Sequence, residues 1–184
     1  MSGPSGAGKS TVVEGLAAQV PFHFSVSMTT RPARPGEVEG VDYRFVDREA
    51  FQTAVAAGDL IEWAEYGGNL YGTPVAEVTG PRRLGRDVLL DIEMAGARNV
   101  KRLFPDAIMI FIVPPDLDAL EARLRRRGDT SEADIARRLA IARDQIAEAA
   151  TLFEHHVVND DLDTAVGQVA GILGAVPDPP VIQP

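Results

Sequence analysis

The sequence predicts an α/β fold in which helices cover both faces of a parallel sheet. Helical and strand patterns alternate along the chain, which is typical of βα units. Two mainly apolar runs, 88–92 and 108–113, have the composition of strands that are buried on both faces. A glycine-rich loop, 3–8, leads directly into an apolar helical pattern.

Length and composition favour one cytoplasmic domain. The chain has 184 residues, of which 45% are hydrophobic and 24% charged, as in ordinary globular proteins. It has no cysteine, which excludes disulfides, thiolate metal sites and thiol catalysis. A net charge of −9 argues against nucleic acid or an anionic membrane as a partner. The longest apolar run, 107–113, is too short to span a bilayer, and we see no secretion signal.

The first half of the chain is predicted to alternate helices with short strands. Asp47 is expected to cap a helix that Gly58 ends. Thr73 and Pro74 are expected to be the N-cap and first residue of a helix reaching about residue 83, with 69–73 as the turn before it. The remaining elements are a helix over 9–19 and strands over 22–27, 41–46 and 60–66. This strand-rich region interrupts the α/β pattern, as an insertion would.

Helices dominate the second half. Asp116 and Ser131 are predicted to cap two arginine-rich helices, the second of them reaching about Glu154. A final helix is expected over 162–173. Strands are expected over 88–92, 108–113 and 156–158. Four prolines within 177–184 predict a disordered tail.

Residues 3–10, Gly-Pro-Ser-Gly-Ala-Gly-Lys-Ser, satisfy the phosphate-loop pattern G-x-x-x-x-G-K-[ST]. Its glycines let successive N–H groups point into one concavity at the start of a helix. Lys9 can reach the β- and γ-phosphates of a nucleotide, and the Ser10 hydroxyl can bind Mg²⁺. A flexible terminus is the alternative, but the apolar helix that follows favours phosphate binding. The predicted nucleotide-binding residues are Gly3, Pro4, Ser5, Gly6, Ala7, Gly8, Lys9, Ser10 and Thr11.

A second Mg²⁺ ligand is predicted at Asp91, where a carboxylate follows the apolar run Val-Leu-Leu. A strand-end cap is the alternative for that residue. A phosphate loop normally follows a buried strand, yet only Met1 and Ser2 precede Gly3. We therefore expect that strand to lie upstream of residue 1, and a chain extended by it to melt higher and bind ATP more tightly.

The segment 27–45 is rich in groups that bind phosphate. Arg31 and Arg34 lie three residues apart and are stiffened by prolines, and Tyr43 follows ahead of a strand. Two guanidinium groups and a phenol can clamp a phosphate with little loss of entropy. A charged surface loop is the alternative.

With this segment the sequence resembles the guanylate kinases, P-loop nucleoside monophosphate kinases that transfer a phosphoryl group from ATP to GMP. Every fixed position of their pattern S-x-T-T-R-x-x-R-x-G-E-x-x-G-x-D-Y is met, and the resemblance covers nearly the whole chain. It implies a three-layer P-loop NTPase fold with a central parallel sheet, a small β-rich GMP-binding insertion and a helical lid. The implied single domain is 1–176, with core 1–24, 84–115 and 144–176, insertion 25–83 and lid 116–143.

The resemblance also implies which residues bind GMP. A carboxylate at Glu62 can accept from guanine N1 and N2, whereas adenine presents an acceptor at N1. Glu93 stands where many relatives have aspartate, and its extra methylene moves the charge by about 1.5 Å. Trp63 is expected to pack in the core. The implied phosphate ligands are Arg31, Arg34, Tyr43 and Tyr71, and the implied guanine ligands are Ser27, Glu62, Thr73 and Glu93.

The arginine-rich helices resemble the family's lid, which implies that Arg127 and Arg138 act on the transferring phosphates with Lys9 and Arg34. Asn159 resembles the residue near the adenine, with a helix cap as the alternative. The other lid arginines are expected on solvated helix faces or beside the adenine. The three histidines, His23, His155 and His156, are expected to be structural or exposed.

The implied function is ATP- and Mg²⁺-dependent phosphorylation of GMP, and of dGMP, in purine nucleotide metabolism, by a monomer or small homo-oligomer. Two alternatives stay open. A ribose bisphosphate kinase of this fold is not expected to keep Glu62. A non-catalytic guanylate-kinase-like scaffold typically has an eroded phosphate loop, whereas Lys9 and Ser10 are intact here.

Overall fold

A computed structural model describes residues 1–126 and 131–174. The chain divides into two compact units, one formed by Met1–Pro21 with the described residues from Ile108 onward, the other by Phe22–Ala107. In chain order the elements are α1 (Lys9–Ala17), β1 (His23–Phe24), β2 (Met28–Thr29), β3 (Arg44–Phe45), α2 (Arg48–Ala57), β4 (Leu60–Tyr66), β5 (Asn69–Pro74), α3 (Val75–Arg83), β6 (Val88–Leu89), α4 (Met94–Leu103), β7 (Ile110–Val113), α5 (Leu117–Arg126), α6 (Glu132–Leu152), β8 (His155–Val158) and α7 (Leu162–Gly174).

The first unit is built on a parallel pair of strands, β7 and β8. Ser2 extends this pairing on the other side of β7, because its N–H donates to Ile110 O at 2.9 Å and its carbonyl accepts from Ile112 N at 2.8 Å. Helix α1 packs against α7. Their approach is close, since a Cβ added at Gly15 would lie 2.7 Å from Val166 Cγ2. The residue before the phosphate loop is thus fixed to a buried strand.

The second unit contains a parallel pair, β1 with β6, and a four-stranded sheet of order β3-β2-β5-β4. Strands β4 and β5 form an antiparallel hairpin, while β2 and β3 run parallel. Asp47 caps α2 by accepting from Ala50 N at 2.7 Å, and Gly58 ends that helix with φ 74°. Both predicted caps of α2 are therefore confirmed, as is the parallel pairing expected of the core.

Three expectations about the second unit were wrong. Residues 69–73 belong to strand β5 rather than a turn, and the turn is Gly67–Gly68, whose φ values of 59° and 80° suit a tight hairpin. Pro74 is the N-cap of α3, because Thr73 is held in the hairpin opposite Glu62. Trp63 is 46% exposed instead of packing in the core.

Other elements differ in extent. The runs predicted as strands over 22–27, 41–46 and 88–92 each contribute a strand of only two residues. Helix α4 was not predicted, although its buried residues Met94, Ala97 and Val100 recur every three positions.

The predicted caps of the last two arginine-rich helices are confirmed. Asp116 and Ser131 cap α5 and α6, accepting from Ala119 N and Asp134 N. The predicted tail, 177–184, lies outside the described residues. Across 1–126 and 131–174, no helix is both long and apolar enough to cross a membrane.

Candidate active site

The phosphate loop depends on backbone conformations that residues other than glycine rarely adopt. Gly3, Gly6 and Gly8 have φ values of 154°, 93° and 88°. Space is also lacking, because a Cβ at Gly3 would lie 2.3 Å from Ile112 O, and one at Gly8 would lie 2.3 Å from Asn159 Nδ2. Two side chains brace the loop from the rest of the first unit. Asn159 Nδ2 donates to Ala7 O at 2.8 Å, and Arg123 donates to Asn159 O at 2.7 Å and to Ala7 O at 3.4 Å.

This loop presents donors to an anion. Gly8 is the N-cap of α1 without a side-chain cap, so the first-turn amides keep their capacity to bind phosphate. Lys9 Nζ donates to Gly3 O at 2.8 Å, which holds the ammonium group across the loop. The exposed Ser10 and Thr11 lie in the same first turn.

In the second unit, three of the four predicted phosphate ligands lie together. The Arg31 guanidinium carbon lies 5.3 Å from the centroid of the Tyr43 ring, and the Tyr43 and Tyr71 centroids are 6.1 Å apart. Glu37 holds Arg31 through two hydrogen bonds of 2.9 and 2.7 Å, and also accepts from Arg34 N at 2.7 Å. The Arg34 side chain is exposed. We call Arg31, Tyr43 and Tyr71 the arginine–tyrosine cluster.

The charges of this cluster suit an anion. Hydrogen bonding to Glu37 raises the pKa of Arg31, and the same contact lowers the pKa of Glu37. Burial, with the nearby Asp91 and Tyr71, raises the pKa of Tyr43 to about 12. The Tyr43 phenol therefore stays a hydrogen-bond donor at any physiological pH.

A buried carboxylate lies on β4 of the same unit. Glu62 is 6% exposed and pairs across the hairpin with Thr73, whose hydroxyl donates to Glu62 Oε1 at 2.5 Å. Its second oxygen lies against the first turn of α4, since a Cβ at Gly96 would be 2.2 Å from Oε2. Burial raises the pKa of Glu62, Thr73 opposes that shift, and the nearby Glu93 adds to it.

Comparison with known proteins identifies the family. A family model described as guanylate kinase matches residues 1–176. The guanylate kinase of a Synechococcus species is 50% identical over 174 residues, which cover 94% of this chain and 80% of that protein. That of Corynebacterium glutamicum is 48% identical over 176 residues, 94% of this chain and 92% of that protein. The chain belongs to the guanylate kinase family.

A solved structure confirms the fold of this guanylate kinase family member. The crystal structure of guanylate kinase from Anaplasma phagocytophilum matches with a TM-score of 0.77 and 35% sequence identity, over 95% of this chain and 82% of that one. The predicted α/β P-loop fold is thereby confirmed.

The arginines of the predicted lid have different surroundings. Helices α5 and α6 pack through a cluster of Leu120, Leu124, Ile135 and Ala142. On their surface Arg125 pairs with Glu121 and Glu132, and Arg137 pairs with Asp134. Arg138 is half-buried on α6. Arg127 lies outside the described residues.

Sequence reasoning assigned no individual role to Glu37, Gly96 and Glu77, and it expected Arg123 only on a solvated helix face or beside the adenine. Glu37 stood inside the motif that matches the family, and that position was its signal. Arg123 and Gly96 act on partners far away in sequence, so no local pattern could identify them. Of the predicted structural histidines, His23 contacts Glu77 at 2.9 Å and His156 contacts Phe153 O at 3.2 Å.

Proposed function

We propose that this protein transfers the γ-phosphoryl group of ATP to GMP, which gives ADP and GDP. The observation that carries the proposal is the buried Glu62–Thr73 pair, which lies in the same unit as the arginine–tyrosine cluster. A buried carboxylate held in this way is suited to accept hydrogen bonds from guanine N1–H and N2–H. Family membership supports the same reaction.

ATP binds through its phosphates to the first unit. The loop amides and the N-terminus of α1 surround the phosphates, and Lys9 moves from Gly3 O to a phosphate oxygen. Phosphoryl transfer needs positioning and charge neutralisation more than covalent chemistry. The positive charges of four residues neutralise the negative charge that spreads over the transferring oxygens. These residues are Lys9, Arg34, Arg127 and Arg138. Asn159 and Arg123 keep the loop in its binding shape near the adenine side.

GMP binds to the second unit. Its phosphate takes hydrogen bonds from Arg31, Arg34, Tyr43 and Tyr71, and Glu37 keeps Arg31 in place beforehand. Guanine N1–H and N2–H donate to Glu62, and Ser27, Thr73 and Glu93 complete the base site. AMP presents an acceptor at N1, so it leaves the buried Glu62 without a donor at that position.

The Ser10 hydroxyl of the first unit and the Asp91 carboxylate of the second would each offer Mg²⁺ an oxygen ligand, the donor type that this ion prefers. When bound, Mg²⁺ neutralises phosphate charge. We assign 25–83 to the GMP-binding insertion and 116–143 to the lid of a cytoplasmic monomer or small homo-oligomer that also accepts dGMP.

Formation of ADP from ATP tests the proposal when GMP, dGMP, AMP and ribose 1,5-bisphosphate are offered as acceptors. We expect rapid turnover with GMP, measurable turnover with dGMP and little with AMP. Preference for ribose bisphosphate would indicate the sugar kinase alternative. Binding of GMP without turnover would indicate a scaffold.

A further inference from the structure

Glu77 on α3 joins three other segments of the second unit through a single carboxylate. Its Oε2 accepts from His23 Nε2 at 2.9 Å and from Val26 N at 3.3 Å. Its Oε1 accepts from Arg44 Nη2 at 2.5 Å. His23 belongs to β1, Val26 to the connection between β1 and β2, and Arg44 to β3. The side chain is only 10% exposed, so this is not an ordinary surface ion pair.

Two of these partners are sequence neighbours of proposed GMP ligands. Val26 precedes Ser27, and Arg44 follows Tyr43. A further bond joins the two places, because Arg44 N donates to Ser27 O at 2.8 Å. Glu77 therefore holds the backbone beside a proposed guanine ligand, and it holds the side chain of the residue that follows a proposed phosphate ligand.

The carboxylate is ionised in this setting. Burial opposes its ionisation, but hydrogen bonds from His23 and Val26, together with Arg44, hold the pKa of Glu77 below its ordinary value. Hydrogen bonds to a charged group are about twice as strong as neutral ones, and a buried charge that loses its partners is costly. By contrast, Arg48 and Glu65 form an exposed pair at 3.6 Å in the same unit, of a kind that contributes little.

We propose that Glu77 is a positioning residue for the acceptor site, which fixes Ser27 and Tyr43 in their binding geometry through Val26 and Arg44. The proposal rests on the proposed function. Glu77 acts through its neighbours, so its removal should weaken GMP binding and leave ATP binding unchanged.

Steady-state kinetics of Glu77→Gln test this role. The substitution keeps the size of the side chain and removes its charge. We expect the KM for GMP to rise about fivefold or more, while the KM for ATP and the kcat at saturating GMP change less than twofold. Glu77→Asp keeps the charge and should recover part of the loss. Glu65→Gln, at the exposed pair, is the matched control and should behave as wild type.

Arg44→Gln supplies a second test, because this side chain is about half exposed and its replacement is expected to leave the fold intact. If the two residues act together, the effects of Arg44→Gln and Glu77→Gln on the KM for GMP will be less than additive. A lower melting temperature with an unchanged KM for GMP would overturn the proposal, as would additive effects or an equal rise in the KM for ATP. A wild-type enzyme that does not phosphorylate GMP would instead refute the proposed function itself.

Discussion

At Gly96 we expect a single added methyl group to weaken guanine recognition strongly. It lies in the first turn of α4, and a Cβ there would lie 2.2 Å from Glu62 Oε2 and 2.8 Å from Glu62 Cδ. Neither distance is sterically allowed. In Gly96→Ala the Glu62 carboxylate must therefore move by about 1 Å, away from a position that its bond to Thr73 also fixes.

The expected loss follows from that displacement. A weakened hydrogen bond to a buried carboxylate costs about 1–3 kcal/mol, and 1.4 kcal/mol corresponds to a factor of ten. We expect kcat/KM for GMP to fall about ten- to hundredfold. Alanine favours a helix over glycine by up to about 1 kcal/mol, which offsets the strain, so the melting temperature should change little. Activity and stability are thus expected to separate.

The assay compares kcat/KM for GMP and AMP in wild type, Gly96→Ala and Gly167→Ala. Gly167 is the matched control, because a Cβ on this α7 residue meets no atom of the described residues within 4 Å. Glu62→Asp combined with Gly96→Ala withdraws the carboxylate and should recover part of the loss. An unchanged ratio of GMP to AMP in Gly96→Ala would refute the role given to Glu62.

Four further substitutions test individual residues of the site. Lys9→Met should keep the fold and lower kcat by about 10² or more, and near-normal turnover would remove Lys9 from the mechanism. Arg34→Ala and Tyr43→Phe should raise the KM for GMP and leave ATP binding to the free enzyme unchanged, as measured by calorimetry; equal weakening of ATP would contradict the assignment. Glu62→Gln should lower the GMP/AMP ratio of kcat/KM about tenfold or more. Burial raises the pKa of Glu62, so the ionised carboxylate destabilises the fold above that pKa. Glu62→Gln should therefore melt at a higher temperature than wild type at pH 8. The difference between the two melting temperatures should shrink as the pH falls and Glu62 becomes protonated.

Features with a local cause could be predicted from the sequence. The caps at Asp47, Gly58 and Ser131 depend on residues within one helical turn, and all three are present. The phosphate loop is equally local, because its glycines set its φ values. The family motif that begins at Ser27 led to the arginine–tyrosine cluster for the same reason.

Features that depend on distant partners could not be predicted. Thr73 looked like a helix cap, but its partner is Glu62 across a hairpin. Position 96 requires glycine only because Glu62 occupies the space that a Cβ would fill. Trp63 has a hydrophobic side chain but lies on the open face of β4, where its alternation with the buried Glu62 exposes it. In each case tertiary packing, and not local preference, decides the outcome.

The most direct test of guanine recognition is the relative kcat/KM of the wild-type enzyme for GMP, inosine monophosphate and AMP, with ATP as donor. Inosine monophosphate keeps the N1 donor and lacks the N2 amine, so it should lose one of two hydrogen bonds to Glu62, while AMP loses both. At about 1–3 kcal/mol for each bond, GMP should exceed inosine monophosphate by about tenfold or more, and AMP should rank last. Equal rates with GMP and AMP, or no phosphorylation of GMP, would contradict the assignment of this site.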